Sequence, residues 1–140
     1  MGKINSRNKG ASFEREIASK LNDFFDSKGL NFKAKRNLEQ YQEKDLGDLE
    51  VPNHVIECKR YAEGNWYKEE WWKQTLNSCG NKIPVLIWKY NRQPIRVCTP
   101  MYVINTKHDY EYLPTNLKDN SVTVVLEFEH WVKYIFANNL

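Results

Sequence analysis

One apolar segment constrains the fold of this 140-residue chain more than any other. It lies at residues 83–90 and reads IPVLIWKY. A continuous apolar run of this length, preceded by a glycine at position 80 and followed by polar residues, is typical of a strand buried inside a sheet. It is far shorter than the roughly 18–20 apolar residues that a membrane span needs. The sequence therefore predicts a buried central strand and no membrane partner.

The composition agrees with one domain, residues 1–140, built around that strand. Hydrophobic residues make up 41% of the chain, which is enough for a core and excludes a wholly disordered protein. The net charge of +3 permits binding to nucleic acid without requiring it. Cys58, Cys79 and Cys98 are widely spaced, so neither a disulfide framework nor a zinc site is expected. A reducing compartment, the cytoplasm, is the predicted location.

Three helices are predicted. Ser12 is a suitable N-cap for the first, and Ser27-Lys28-Gly29 a suitable stop, with residues 1–12 left as a basic arm. Its apolar residues recur at helical spacing: Phe13, Ile17, Leu21, Phe24 and Phe25. A second helix is predicted from about Trp66 to Cys79. An amphipathic third helix is predicted from Phe128 onwards.

Strand patterns fill the intervals between these helices. The predicted strands lie at residues 30–34, 48–51, 54–59, 83–90, 94–98 and 121–126, with a polar loop at 35–47. This order of elements indicates an α/β fold with a central mixed β-sheet flanked by helices. A strand and a helix are added at the C-terminal end, where residues 99–140 have no assigned role.

The predicted hairpin brings two carboxylates together. Glu57 and Lys59 are two positions apart on a strand, so they point to the same face. If Pro52-Asn53 is a two-residue turn, cross-strand partners sum to 105, and Asp48 lies opposite Glu57 with Cβ atoms about 5 Å apart. Two carboxylates at that distance repel unless one is protonated or a cation is bound. Mg²⁺ prefers such oxygen ligands.

Glu14 lies within the apolar sector of the first helix, about 100° from Phe13, whereas Arg15 points to the opposite side. A carboxylate buried in this way needs a partner. A nearby Arg or Lys would make it a structural ion pair, and proximity to the hairpin would make it a third acid of the same site.

Four segments of the chain resemble the archaeal-type Holliday junction resolvases and their phage-borne relatives, of the PD-(D/E)xK nuclease superfamily. They are KGASFEREI at 9–17, GDL at 47–49, IECK at 56–59 and IPVLIWK at 83–89. The resemblance spans about residues 8–98 and implies a restriction-endonuclease-like core. Gly47 departs from the proline that the superfamily's name leads one to expect.

The resemblance also implies roles for individual residues. It makes Glu14, Asp48, Glu57 and Lys59 catalytic, with the three acids holding Mg²⁺, for which Mn²⁺ would substitute. Arg15 matches a basic residue tied to DNA contact. Gln74 is a candidate accessory residue near the metal or, with equal weight, an ordinary surface glutamine. In the basic arm, we expect DNA contacts from Lys3, Arg7 and Lys9.

The resulting prediction is a metal-dependent endonuclease that acts in DNA recombination and repair. As a homodimer, it would resolve four-way (Holliday) junctions by paired strand cuts, in the cytoplasm of a prokaryotic cell or phage-infected host. Two alternatives stay open: a nuclease of the same superfamily acting on duplex, nicked or flapped DNA, and a non-catalytic DNA-binding module. The aromatic surplus at Trp66, Tyr67, Trp71 and Trp72 fits either a dimer face or a layer that caps the sheet.

Overall fold

The structure is a computed structural model, and it describes residues 2–38, 47–104 and 119–140, with side chains from residue 9 onwards. Its helices are α1 (Gly2–Ser27), α2 (Glu69–Cys79) and α3 (Phe128–Tyr134), with 3-10 turns at Met101–Ile104 and Phe136–Asn138. Its strands are β1 (Lys35–Arg36), β2 (Leu49–Val51), β3 (His54–Tyr61), β4 (Ile83–Tyr90), β5 (Arg96–Pro100) and β6 (Thr123–Glu127).

The six strands form one mixed sheet in the order β1-β2-β3-β4-β5-β6. β3 and β4 run parallel, and every other neighbouring pair is antiparallel. The parallel pair requires a crossover connection, which α2 supplies. The predicted mixed sheet flanked by helices, with a strand and a helix added at the C-terminal end, is therefore confirmed.

Apolar side chains are buried on both faces of the sheet. On one face, α1 and the C-terminal segment pack around residues that include Phe25, Trp131 and Phe136, all at 0% exposure. On the other, α2 covers β4 through Trp71, Trp72 and Trp88. Residues of β4 alternate between the two clusters, which is the period of a strand buried on both sides.

Two predicted boundaries in the first third of the chain are wrong. α1 begins at Gly2, so Ser12 lies inside the helix rather than at its start, and residues 2–12 are helical. The segment 30–34 is not a strand, because the backbone there bonds to α1 instead of to the sheet. Leu30 N donates to Phe25 O at 2.9 Å, and Ala34 N donates to Asn22 Oδ1 at 2.7 Å.

The remaining differences are small shifts. α2 begins at Glu69 instead of Trp66, and β5 and β6 each start two residues later than predicted. Within the expected polar loop, residues 35–36 form β1, and residues 39–46 lie outside the described part of the chain. β4 has the predicted bounds, because a long apolar run is the strongest strand signal in the sequence.

Candidate active site

A tight turn sets the geometry of the hairpin that carries the two carboxylates. Asn53 has a φ of 64°, the left-handed conformation that the second central residue of this turn requires. The observed pairs are Leu49↔Ile56, Glu50↔Val55 and Val51↔His54, so every pair sums to 105, as predicted. Asp48 and Glu57 come next after the pair Leu49↔Ile56 in this register, so they face each other.

Asp48 and Glu57 form a close, buried carboxyl pair. Asp48 Oδ2 accepts a hydrogen bond of 2.7 Å from the Cys58 backbone N–H, and Glu57 is only 3% exposed. The two carboxyl groups interact with each other, because each shifts the pKa of the other. Burial raises the pKa of both groups, and their mutual repulsion raises that of Glu57 further. In the absence of a cation, the pair therefore retains a proton near neutral pH.

This carboxyl pair suits a hard divalent cation. Oxygen donors of this kind are the ligands that Mg²⁺ and Mn²⁺ take, and a bound cation would offset the repulsion from Asp48 that raises the pKa of Glu57. Within the described residues, no three His, Cys, Asp or Glu side chains lie close enough to form a metal cluster. The structure thus brings together two of the three predicted acidic ligands.

The third acid, Glu14, is tied to a different residue. It is 7% exposed, and its Oε2 lies 3.0 Å from Nη2 of Arg36 on β1. The structural ion pair foreseen for a buried Glu14 is therefore present. The charge of Glu14 also raises the pKa of Asp48, which indicates that Glu14 lies near the carboxyl pair. The role of Glu14 as a third metal ligand stays a prediction.

Helix α2 supplies two polar side chains to the same face. Lys59 Nζ donates a hydrogen bond of 2.8 Å to Gln74 Oε1, and Ser78 Oγ lies 3.5 Å from Glu57 Oε1. Gln74 and Ser78 are four residues apart, so they lie on one side of the helix. The structure therefore places Gln74 beside Lys59.

Sequence reasoning missed Arg36 and Ser78. Arg36 lies in a segment interpreted as a polar loop, and Ser78 near the end of α2 has no local motif around it. Both reach the acids over separations of 22 and 21 residues, which no short-range pattern reports.

Gly47 has a physical reason to differ from proline. It is buried, and a Cβ atom there would collide with Cγ1 of Val55 and lie 3.1 Å from the Ile56 carbonyl oxygen. The chain passes too close to β3 at this point for any side chain, proline included. Asn37 fixes the approach, since its Nδ2 donates to Gly47 O at 2.8 Å.

The predicted DNA-contacting residues all belong to α1. Arg15 is exposed and Lys9 is half-buried, and the side chains of Lys3 and Arg7 lie outside the described part of the chain. The basic residues of the expected arm therefore belong to a helix and not to an extended tail.

Most of the aromatic surplus caps the sheet. Trp71 and Trp72 are 6% and 7% exposed and pack with Trp88 and Tyr90, as the capping interpretation expects. Trp66 and Tyr61 stay 49% and 45% exposed.

All three cysteines are free thiols. None of the described helices is long and apolar enough to cross a membrane.

Comparison with known proteins identifies a family. The model of a family described as phage putative PDDEXK endonuclease matches residues 5–138. Among solved structures, the Holliday junction resolvase Hjc of the archaeal hyperthermophile Archaeoglobus fulgidus is similar at 15% identity, covering 84% of this chain and 86% of that chain, with a TM-score of 0.48. A likeness of that strength carries no substrate over to this chain. No curated protein matches the sequence significantly.

Proposed function

Because this chain belongs to the phage PDDEXK endonuclease family, we propose that Asp48 and Glu57 hold a divalent metal ion for the hydrolysis of DNA. The observation that carries this proposal is the buried carboxyl pair with Lys59 on the same strand and face. Mg²⁺ is the proposed ion, and Mn²⁺ would substitute for it. Glu14 is a third candidate ligand, on release from Arg36.

The chemistry divides between the ion and the chain. When bound, the ion polarises the scissile phosphate and lowers the pKa of a water molecule. Lys59 contributes a positive charge where negative charge develops on the phosphoryl oxygens in the transition state. Gln74 orients the Lys59 ammonium through its 2.8 Å hydrogen bond, and Ser78 contacts Glu57 from the same helix. The Cys58 backbone N–H holds Asp48 in place.

Four-way junctions are the proposed substrate, cut by a homodimer with one active site in each subunit. The sequence resemblance to resolvases supports this choice, and a two-fold dimer suits a two-fold symmetric junction. Arg15 and the basic residues Lys3, Arg7 and Lys9 of α1 would contact DNA phosphates. Action on duplex, nicked or flapped DNA is the alternative within the same chemistry. The buried acid pair disfavours a purely DNA-binding module, which has no use for it.

A cleavage assay on matched substrates tests the proposal. The wild type is expected to cut a synthetic four-way junction in Mg²⁺ and in Mn²⁺, but not in EDTA. Asp48→Asn should abolish cleavage and retain most DNA binding, because phosphate contacts dominate affinity. Asp26→Asn, at an exposed position on α1, is the matched control. Cleavage by Asp48→Asn at the wild-type rate would refute the site, and cleavage of linear duplex alone would refute junction specificity.

A further inference from the structure

An exposed aromatic ring continues the face that carries the candidate active site. Tyr61 ends β3 two positions after Lys59, so both side chains lie on the side of the sheet covered by α2. The Tyr61 ring stacks on Trp71 of α2, with centroids 5.1 Å apart and planes inclined by 8°. Trp71 is 6% exposed and Tyr61 is 45% exposed. Since Trp71 covers one face of the Tyr61 ring, the exposed area lies on its other face and edge.

The position of this ring suits the strand of DNA at the active site. Two residues of a strand span about 7 Å. One nucleotide of a stacked DNA strand spans 3.4 Å along the axis. For a DNA strand that runs along β3, a phosphate held at Lys59 therefore lies within about one or two nucleotides of the Tyr61 ring.

One cation lies beside the stacked pair of rings. The Lys68 ammonium lies 5.9 Å from the centroid of the Trp71 ring. In the described part of the chain, Lys68 takes part in no ion pair. An aromatic face bordered by positive charge is the combination that binds single-stranded nucleic acid.

We propose that Tyr61 stacks on the base of an unpaired nucleotide beside the scissile phosphate. This inference rests on the proposed nuclease function. Because the stacked base must be unpaired, it favours the flapped DNA named above as the alternative substrate over a fully paired four-way junction. Bases within an intact duplex are stacked on their neighbours and cannot cover the ring without being displaced. Stacking on an aromatic side chain corresponds to about 5- to 150-fold in affinity.

A fluorescent base analogue tests the contact. 2-Aminopurine is placed at the first unpaired nucleotide of a flapped duplex, and binding is measured in EDTA so that no cleavage occurs. Wild type and Tyr61→Phe should quench the fluorescence. Tyr61→Leu and Tyr61→Val should not, and should bind the flap about 5- to 150-fold more weakly while binding linear duplex unchanged. Two non-aromatic variants guard against a folding defect in either. Tyr134→Leu, at a 58% exposed tyrosine on α3, is the matched control and should behave as wild type.

Cleavage in Mg²⁺ then separates this inference from the function on which it rests. The ratio of flap to duplex cleavage should fall by the same factor in Tyr61→Leu. Equal quenching and an equal cleavage ratio in wild type and Tyr61→Leu would overturn the stacking site, as would a loss of dimerisation with no change in quenching. Wild-type protein that cuts no DNA, yet quenches only when the ring is present, would instead refute the nuclease proposal and leave the stacking site standing.

Discussion

Lys59 Nζ on β3 donates a hydrogen bond of 2.8 Å to Oε1 of Gln74 on α2. The bond joins the central hairpin to the helix that crosses over it, at the point where a phosphate would lie. An ammonium group on a flexible four-carbon chain needs such a partner to hold one position. We therefore treat Gln74 as a positioning residue that acts through Lys59.

Variants at Lys59 and Gln74 should lower kcat by different factors, and both should leave DNA affinity nearly unchanged. Lys59→Ala should lower kcat by about 10²–10³-fold, because it removes a charge acting on the transition state. Gln74→Leu should lower kcat by roughly 3- to 10-fold, since the ammonium remains but is no longer held. Single-turnover cleavage measures the change in rate. Binding in EDTA measures the DNA affinity, which should change little in either variant.

The half-buried residue Gln93, whose Nε2 donates to Gly64 O at 2.5 Å, provides a control for loss of a glutamine hydrogen bond as Gln93→Leu. A Gln74→Leu variant that weakens binding while keeping the single-turnover rate would show that Gln74 contacts DNA directly.

The carboxyl pair should make the metal-free protein less stable as the pH rises. The folded-state pKa values of Asp48 and Glu57 are both raised, by burial first, so the folded protein retains a proton that the unfolded chain has released. Their stabilising contribution is present at low pH and is lost as the pH rises through the folded-state values. Asp48→Asn removes the repulsion and should raise the free energy of unfolding at pH 8 by roughly 1–3 kcal/mol.

Thermal unfolding in EDTA across pH 5–8 measures this effect. The gap in Tm between Asp48→Asn and wild type should widen as the pH rises, and added Mg²⁺ should stabilise only the wild type. A wild type that is the more stable protein at pH 8 without metal would contradict the burial of two repelling carboxyl groups.

The parts of the site predictable from sequence are those that depend on short separations. A two-residue turn fixes the hairpin register, so the juxtaposition of Asp48 and Glu57 follows from sequence alone. The period of α1 likewise places Glu14 on its buried side. The ion pair between Glu14 and Arg36 does not follow, because β1 joins the sheet through pairing with β2, not through its own propensity. Only the assembled sheet brings Arg36 to α1.

Removing Arg36 should expose its role beside Glu14. Arg36→Gln removes the ion pair that Arg36 makes with the buried Glu14 carboxylate, which should lower the free energy of unfolding by about 3–5 kcal/mol in metal-free protein. Mg²⁺ should recover part of this loss if Glu14 then becomes a metal ligand. Chemical denaturation with and without Mg²⁺ measures both effects, and Arg36→Lys is the control that retains the charge.

Glu14→Gln alone and the double variant Glu14→Gln with Arg36→Gln complete a double-mutant cycle that isolates the pair. If Mg²⁺ raises the free energy of unfolding of the double variant as much as that of Arg36→Gln, the ion does not act through Glu14.

His54 should make the fold sensitive to acid independently of the active site. It is 1% exposed, its Nδ1 donates to the Pro52 carbonyl oxygen at 2.6 Å, and the Phe136 ring packs against it with centroids 4.9 Å apart. Burial lowers the pKa of His54 from 6.5 to about 4. The unfolded chain therefore binds a proton that the folded chain excludes between those two values, and stability is lost as the pH falls from about 6.5 to about 4. The full loss is about 3 kcal/mol.

Urea unfolding between pH 4.5 and 7 tests the role of His54, with His54→Asn compared to wild type. Asparagine can still donate to the Pro52 carbonyl but does not titrate, so the variant should be less stable at pH 7 and show a flatter dependence on pH. The carboxyl pair has the opposite slope and is common to both proteins, so it cancels in the comparison. His130→Asn, at an exposed histidine on α3, is the control. An unchanged slope in His54→Asn would mean that the buried imidazole does not govern the acid limb.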